Sequence, residues 1–149
     1  MATYVGYQNG TSVMMEAANC GSDAYRLILS NTAPNVSTNT NYASATEIAN
    51  GNGYSNTGVV GTTGVAVSIT SHVQTAGVYK LVLAAPASPT WTASGAGFTF
   101  RYVILVNATQ NALIAYWDYG SAVVMNGANG DTFTPTLDPT NGTFTITTP

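Results

Sequence analysis

The stretch from Gly97 to Gly120, GFTFRYVILVNATQNALIAYWDYG, constrains the fold more than any other part of the chain. Phe98, Phe100, Tyr102, Ile104 and Val106 alternate with Thr99, Arg101, Val103 and Leu105, the period-two pattern of a strand. Asn107 to Asn111 is polar and turn-prone, because Asn tolerates left-handed backbone and bonds locally. Leu113, Ala115, Trp117 and Tyr119 then fall on one side of a second strand, with Ile114, Tyr116 and Asp118 on the other. Both faces of this hairpin carry large apolar groups. It is therefore expected to lie centrally, between two layers, as in a sandwich core.

Other strands flank it. Tyr25, Leu27 and Leu29 alternate with Arg26, Ile28 and Ser30; Val65, Val67 and Ile69 share one face; Val78 to Leu83 alternates as well. Thr90 to Thr92 is a short strand, Ser121 to Met125 a short extended piece, and Thr132–Thr136 and Thr143–Thr148 end the chain. In the last of these, Phe144 and Ile146 are expected to face the core. The segment Ala84-Ala-Pro-Ala-Ser-Pro89 is a proline-punctuated crossover. Asn126-Gly127 and Asn129-Gly130 read as turns. No segment has a sustained apolar stripe of helical period. The pattern predicts an all-β fold: one antiparallel β-sandwich domain, jelly-roll-like or immunoglobulin-like, spanning residues 25–149.

Residues 1–24 form either an N-terminal arm or a first strand, since Gly6 and Asn9-Gly10 interrupt any long period. Asn31 to Gly58 is rich in Asn, Thr, Ser and Gly. It is long for a loop in a compact domain, which makes it functional or self-packed. Within it, Ala45–Ala49 is expected to form one helical turn and Gly51–Tyr54 a tight corner.

Composition bounds what the chain does. At 149 residues with 45% hydrophobic content it can bury a core of its own. Only 6% of residues are charged, against roughly 25% in ordinary soluble domains. Two readings fit: a secreted-type β domain, or a subunit whose surface is largely covered in an assembly. Net charge is −3, and the bases are Arg26, Lys80 and Arg101. That is too few to neutralise phosphates, so neither nucleic acid nor a membrane surface is expected as partner. No apolar run approaches the ~20 residues of a membrane span, and no secretory leader opens the sequence. Synthesis in a cytoplasm is the expectation, and the lone Cys20 fits it.

No catalytic constellation, metal site or cofactor site is expected. Glu16, Asp23, Glu47, Asp118, Asp131 and Asp138 are dispersed, and turn or hydrogen-bonding roles explain them better than a paired-carboxylate centre. His72 and Cys20 are single, too few for a transition-metal site, and no elbow motif frames a serine. Trp91 and Trp117 could present a sugar-stacking platform. Core packing suits both better, Trp117 most of all, which leaves Trp91 as the candidate glycan contact.

Several ordered motifs add to this. They are Tyr25-Arg-Leu-Ile-Leu-Ser-Asn-Thr-Ala-Pro34, Thr46-Glu-Ile-Ala-Asn-Gly-Asn-Gly-Tyr54, Trp91, Arg101-Tyr-Val-Ile-Leu105, Leu113-Ile-Ala-Tyr-Trp-Asp-Tyr-Gly120 and the closing Phe144-Thr-Ile-Thr147. From Tyr25 onward their succession resembles a family of small virion proteins from tailed-phage structural modules. Two positions depart from it, Tyr119 where Phe is usual and Ser121-Ala122 where an acid often follows the glycine. The resemblance implies a non-enzymatic β-sandwich of the phage particle. The leading expectation is a capsid decoration (cement) protein on the outer shell, a homotrimer gripping the major capsid protein. The alternative is a tail or fibre component with a glycan-binding surface at Trp91. The expected contact surfaces are the first 19 residues and the Asn31–Gly58 loop, with Tyr4, Tyr7, Met14, Met15, Asn35, Tyr42 and Tyr54 as the contact residues.

Overall fold

The computed structural model describes residues 2–84, 86, 88 and 90–147. Met1, three positions of the expected proline-punctuated crossover (Ala85, Ala87 and Pro89), Thr148 at the end of the last expected strand and Pro149 lie outside the described residues. The chain is an all-β sandwich of antiparallel sheets with one α-helix. Its elements are β1 (Thr3–Gly6), α1 (Gln8–Glu16), β2 (Tyr25–Ser30), β3 (Val65–Val67), β4 (Ile69–Thr75), β5 (Val78–Leu83), β6 (Trp91–Thr92), β7 (Phe98–Asn107), β8 (Ala112–Met125), β9 (Thr132–Phe133) and β10 (Phe144–Thr147). A five-stranded sheet runs β1-β8-β7-β2-β3, a three-stranded sheet β10-β5-β4, and β6 pairs with β9.

The hairpin β7–β8 does lie at the centre, with a buried apolar face on each side. The larger core joins Leu27, Leu29, Val103, Leu105 and Ala115 of the central sheet to Leu81 and Leu83 of the smaller one and to Trp91. The second core, on the opposite face, gathers Tyr7, Ile28, Tyr102, Ile104, Val106 and Leu113 under Tyr42 and Ala45 of the long loop and Val60 just beyond it. That loop is thus the third layer of the molecule.

Strict alternation fails at two places along the hairpin. Phe100 pairs with Val123 and Tyr102 with Asp118, so Arg101 alone stands opposite residues 119–122. The bulge changes the phase of β7: Phe100 faces the same core as Val103 and Leu105, while Tyr102 faces the other. A second shift, where Leu105 pairs with Ala115 and Val106 with Leu113, leaves Ile114 as the extra residue. Such bulges re-aim side chains at the cost of ladder bonds. They also show that Ser121–Met125 is the continuation of β8, not a separate piece.

The N-terminal segment is a packed part of the domain. β1 pairs with β8, Tyr4 opposite Trp117, and Tyr7 donates its backbone N–H to Ile114 O at 2.9 Å. The expected Asn9-Gly10 turn is instead inside α1. The helix has no long apolar stripe because it meets the core through few positions, chiefly buried Gly10 and Met14. Gly10 is what lets it approach: a Cβ there would sit 2.4 Å from Leu113 O and 2.7 Å from Ile114 Cα. The helix therefore rests on the Ile114 bulge, a tertiary contact with no signature in local sequence.

Two further differences concern short pieces. The helical turn of the long loop is a 3-10 turn at Tyr42–Ser44, ahead of the expected Ala45–Ala49, because Asn41 and Ser44 cap it reciprocally. The extended segment expected at Val65, Val67 and Ile69 runs on as β4 to Thr75, paired with β5 from Leu83 to Val78. β3 borders the central sheet and β4 the smaller one, so a single extended segment, joined at Ser68, passes from one sheet to the other. The Gly51–Tyr54 corner forms as expected, with both backbone bonds closed between those two residues at 2.9 and 3.0 Å.

Candidate functional site

The long loop is organised around one carboxylate. Glu47 accepts hydrogen bonds from Tyr42 Oη at 2.7 Å, Tyr54 Oη at 2.5 Å and Thr63 Oγ1 at 2.6 Å. Thr63 is fully buried, and Tyr54 in turn accepts the backbone N–H of Leu29 at 2.9 Å, which ties the loop to β2. Burial and then the negative charge of Glu47 push the Tyr54 phenol above its ordinary value; burial and its bond to Glu47 do the same for Tyr42. Arg26 closes the end of the loop, its guanidinium donating to the carbonyls of Thr62, Thr63 and Gly64. Glu47 was legible only as a lone acid in an uncharged loop flanked by tyrosines. Its role as a hub emerges from the fold.

The expected contact residues divide sharply. Tyr4 at 45% and Met15 at 61% exposure, together with Asn35, stand on the surface. Tyr42 is half-buried against the second core. Tyr7, Met14 and Tyr54 are buried and offer nothing to a partner, which corrects the expectation for these three. Each was read as exposed because its segment looked like an arm or an open loop, whereas both segments pack on the sheet.

The tryptophans also change roles. Trp91 is buried at 5% exposure, stacked on Phe133 with ring centroids 5.9 Å apart and tilted against Tyr54. It is a core residue and no glycan platform. Trp117 is half-buried: it meets Tyr4 edge-on at 5.4 Å and lines two adjoining hollows of about 270 and 610 Å³.

All six carboxylates accept hydrogen bonds from their own neighbourhood. Asp118 takes a two-pronged pair from Arg101 at 2.8 and 2.9 Å plus the Gly120 N–H, and these hold its carboxyl below the usual carboxylate range. Asp138 takes the N–H groups of Thr140 and Asn141 and the Asn141 amide; the Asn141 bonds foremost lower it likewise. Asp131 accepts from Asn126 N, Glu16 from Ser12, and buried Asp23 from Asn107 Nδ2 at 2.7 Å. Cys20 and exposed His72 line one open hollow of about 500 Å³ with Tyr79, whose phenol burial and Cys20 push up to about 12; no acidic residue lines it. Among the described residues no three His, Cys, Asp or Glu side chains converge as a metal site.

What faces outward is mostly uncharged. Val59, Val73 and Val124 are exposed beside Tyr4 and Met15. β4 ends the three-stranded sheet, its outer edge paired with no strand among the described residues, and its ITSHVQT sequence carries no Lys, Glu or Pro. Those are the residues that ordinarily guard a free edge against other proteins. No family model, curated protein or solved structure matches the chain.

Proposed function

We propose that this chain is a non-enzymatic structural subunit of a tailed-phage particle, a decoration protein bound to the outer shell. In that role it sits as a homotrimer across neighbouring copies of the major capsid protein. The observation that carries the reading is the surface: nearly free of charge, dotted with exposed Tyr, Met and Val, and bounded by the unguarded edge of β4. Such a surface suits association by shape and hydrogen bonding with little dependence on salt. The resemblance of the ordered motifs from Tyr25 to Thr147 to small tailed-phage virion proteins supports a virion as the assembly. Binding only to assembled shell stabilises that shell by the binding free energy at each site.

Gold-antibody labelling of intact particles tests the proposal. Label spread over the head is the expected result. Label confined to the tail would reassign the chain to a tail or fibre component, and absence of the chain from purified particles would end the virion reading.

A further inference from the structure

The two hollows beside Trp117 share Ala2, Trp117 and Asp138 and form one groove. Each volume, about 270 and 610 Å³, is of the order of small-ligand sites, roughly 300–1,000 Å³. Along its wall run Trp117, Tyr119 and Phe133, all half-exposed, with Tyr4 set edge-on to Trp117 at the near end. The wall is rigid, because Tyr119 meets Phe133 edge-on at 5.6 Å and Phe133 stacks on buried Trp91. Thr134, Thr136 and Asp138 line the groove as well.

Asp138 is held by its own turn. Oδ1 accepts from Thr140 N and Asn141 N, while among the described residues Oδ2 accepts from Asn141 Nδ2 alone. Two carboxylate oxygens offer about four lone-pair sites, so Oδ2 can still take a donated hydroxyl. Lys80 reaches this turn but donates to Thr140 O. Among the described residues no basic side chain lines either hollow.

We propose that this groove binds a neutral oligosaccharide. Sugar rings present apolar C–H faces to the aromatic wall, and their hydroxyls donate to Asp138 and exchange hydrogen bonds with Thr134 and Thr136. The rings follow one another along a wall rather than closing around one point, which suits an extended chain of sugars over a compact organic cation. The site is independent of the particle assignment, since it is read on the isolated chain.

Purified full-length protein is titrated with maltohexaose, cellohexaose and chitohexaose, with choline as the competing probe, following tryptophan fluorescence and calorimetry. Saturable binding of at least one hexaose is expected, insensitive to salt. Trp117→Ala and Tyr119→Ala are each expected to weaken it by about tenfold, and Asp138→Asn to weaken it while the circular dichroism spectrum stays that of the folded chain. If Trp117→Ala fails to fold, Tyr119→Ala and Asp138→Asn carry the test. Absence of binding by all three hexaoses, binding of choline in their place, or sugar affinity unchanged in the folded variants would overturn the proposal.

Discussion

Glu47 shows how much a single side chain holds in a protein with so few charges. Three hydroxyls from residues 42, 54 and 63 converge on it, two of them on buried or nearly buried side chains. In Glu47→Ala, Tyr54 and Thr63 are left with buried, unpartnered groups. Loss of charge-assisted bonds of this kind costs about 3 kcal/mol, which for a domain of this size lowers Tm by about 6–12 °C; thermal melting by circular dichroism reads it directly. The tyrosines set a second expectation. Tyr7, Tyr25 and Tyr54 are buried as neutral phenols and raised above the ordinary value of 10.0, burial being the first cause in each. A group raised on folding binds its proton more tightly in the native state. Its contribution is therefore complete below pH ~10 and is lost as pH climbs past it toward the folded value. Urea midpoints measured upward from pH 9 are expected to fall steeply above pH 10; midpoints flat to pH 12 would contradict this burial pattern.

At the level of elements, α1 and its seat on β8 form the least obvious join in the molecule. An exposed helix normally gains about 1 kcal/mol when Gly becomes Ala. At Gly10 the sign should reverse, since the added Cβ would lie 2.4 Å from a carbonyl oxygen of β8. Gly10→Ala is expected to destabilise by about 2 kcal/mol, seen as a lower urea midpoint at unchanged slope. The same contact explains what the sequence could tell and what it could not. β5 was readable to the residue, Val78–Leu83, and β2 to within one, expected from Ala24 and found at Tyr25–Ser30, because their apolar runs answer only to neighbours in the ladder. α1 was not, because its nine residues owe their shape to a bulge more than 100 positions away. The slip at Arg101 hid for a related reason. Phe, Tyr, Ile and Val alternate through it without interruption, since both sides of the sheet are apolar and either phase reads well. The groove at Trp117 was missed on similar grounds, because nothing local distinguishes a Trp with one face open from one enclosed like Trp91.

For the whole molecule, three bases and six acids leave little long-range electrostatics to screen. Arg101 and Asp118 form the ion pair between them, partly exposed at 38% and 27%. Melting temperature is therefore expected to move by less than about 2 °C between dilute buffer and about 0.5 M salt; a larger shift would mean that charge contributes more to the fold than its scarcity implies. The same scarcity bears on assembly. A surface of apolar groups and hydrogen-bonding side chains would hold a partner with little dependence on ionic strength.

The passage of one segment from β3 into β4 has a mechanical meaning. Two sheets that meet only through side chains can shear past one another once their packing loosens. Here Val67 is knitted to β2 and Ile69 to β5, with Ser68 alone between them. A pull on the outer edge of β4 is therefore passed along peptide bonds to β3, and from there through the ladders of β2 to the central hairpin.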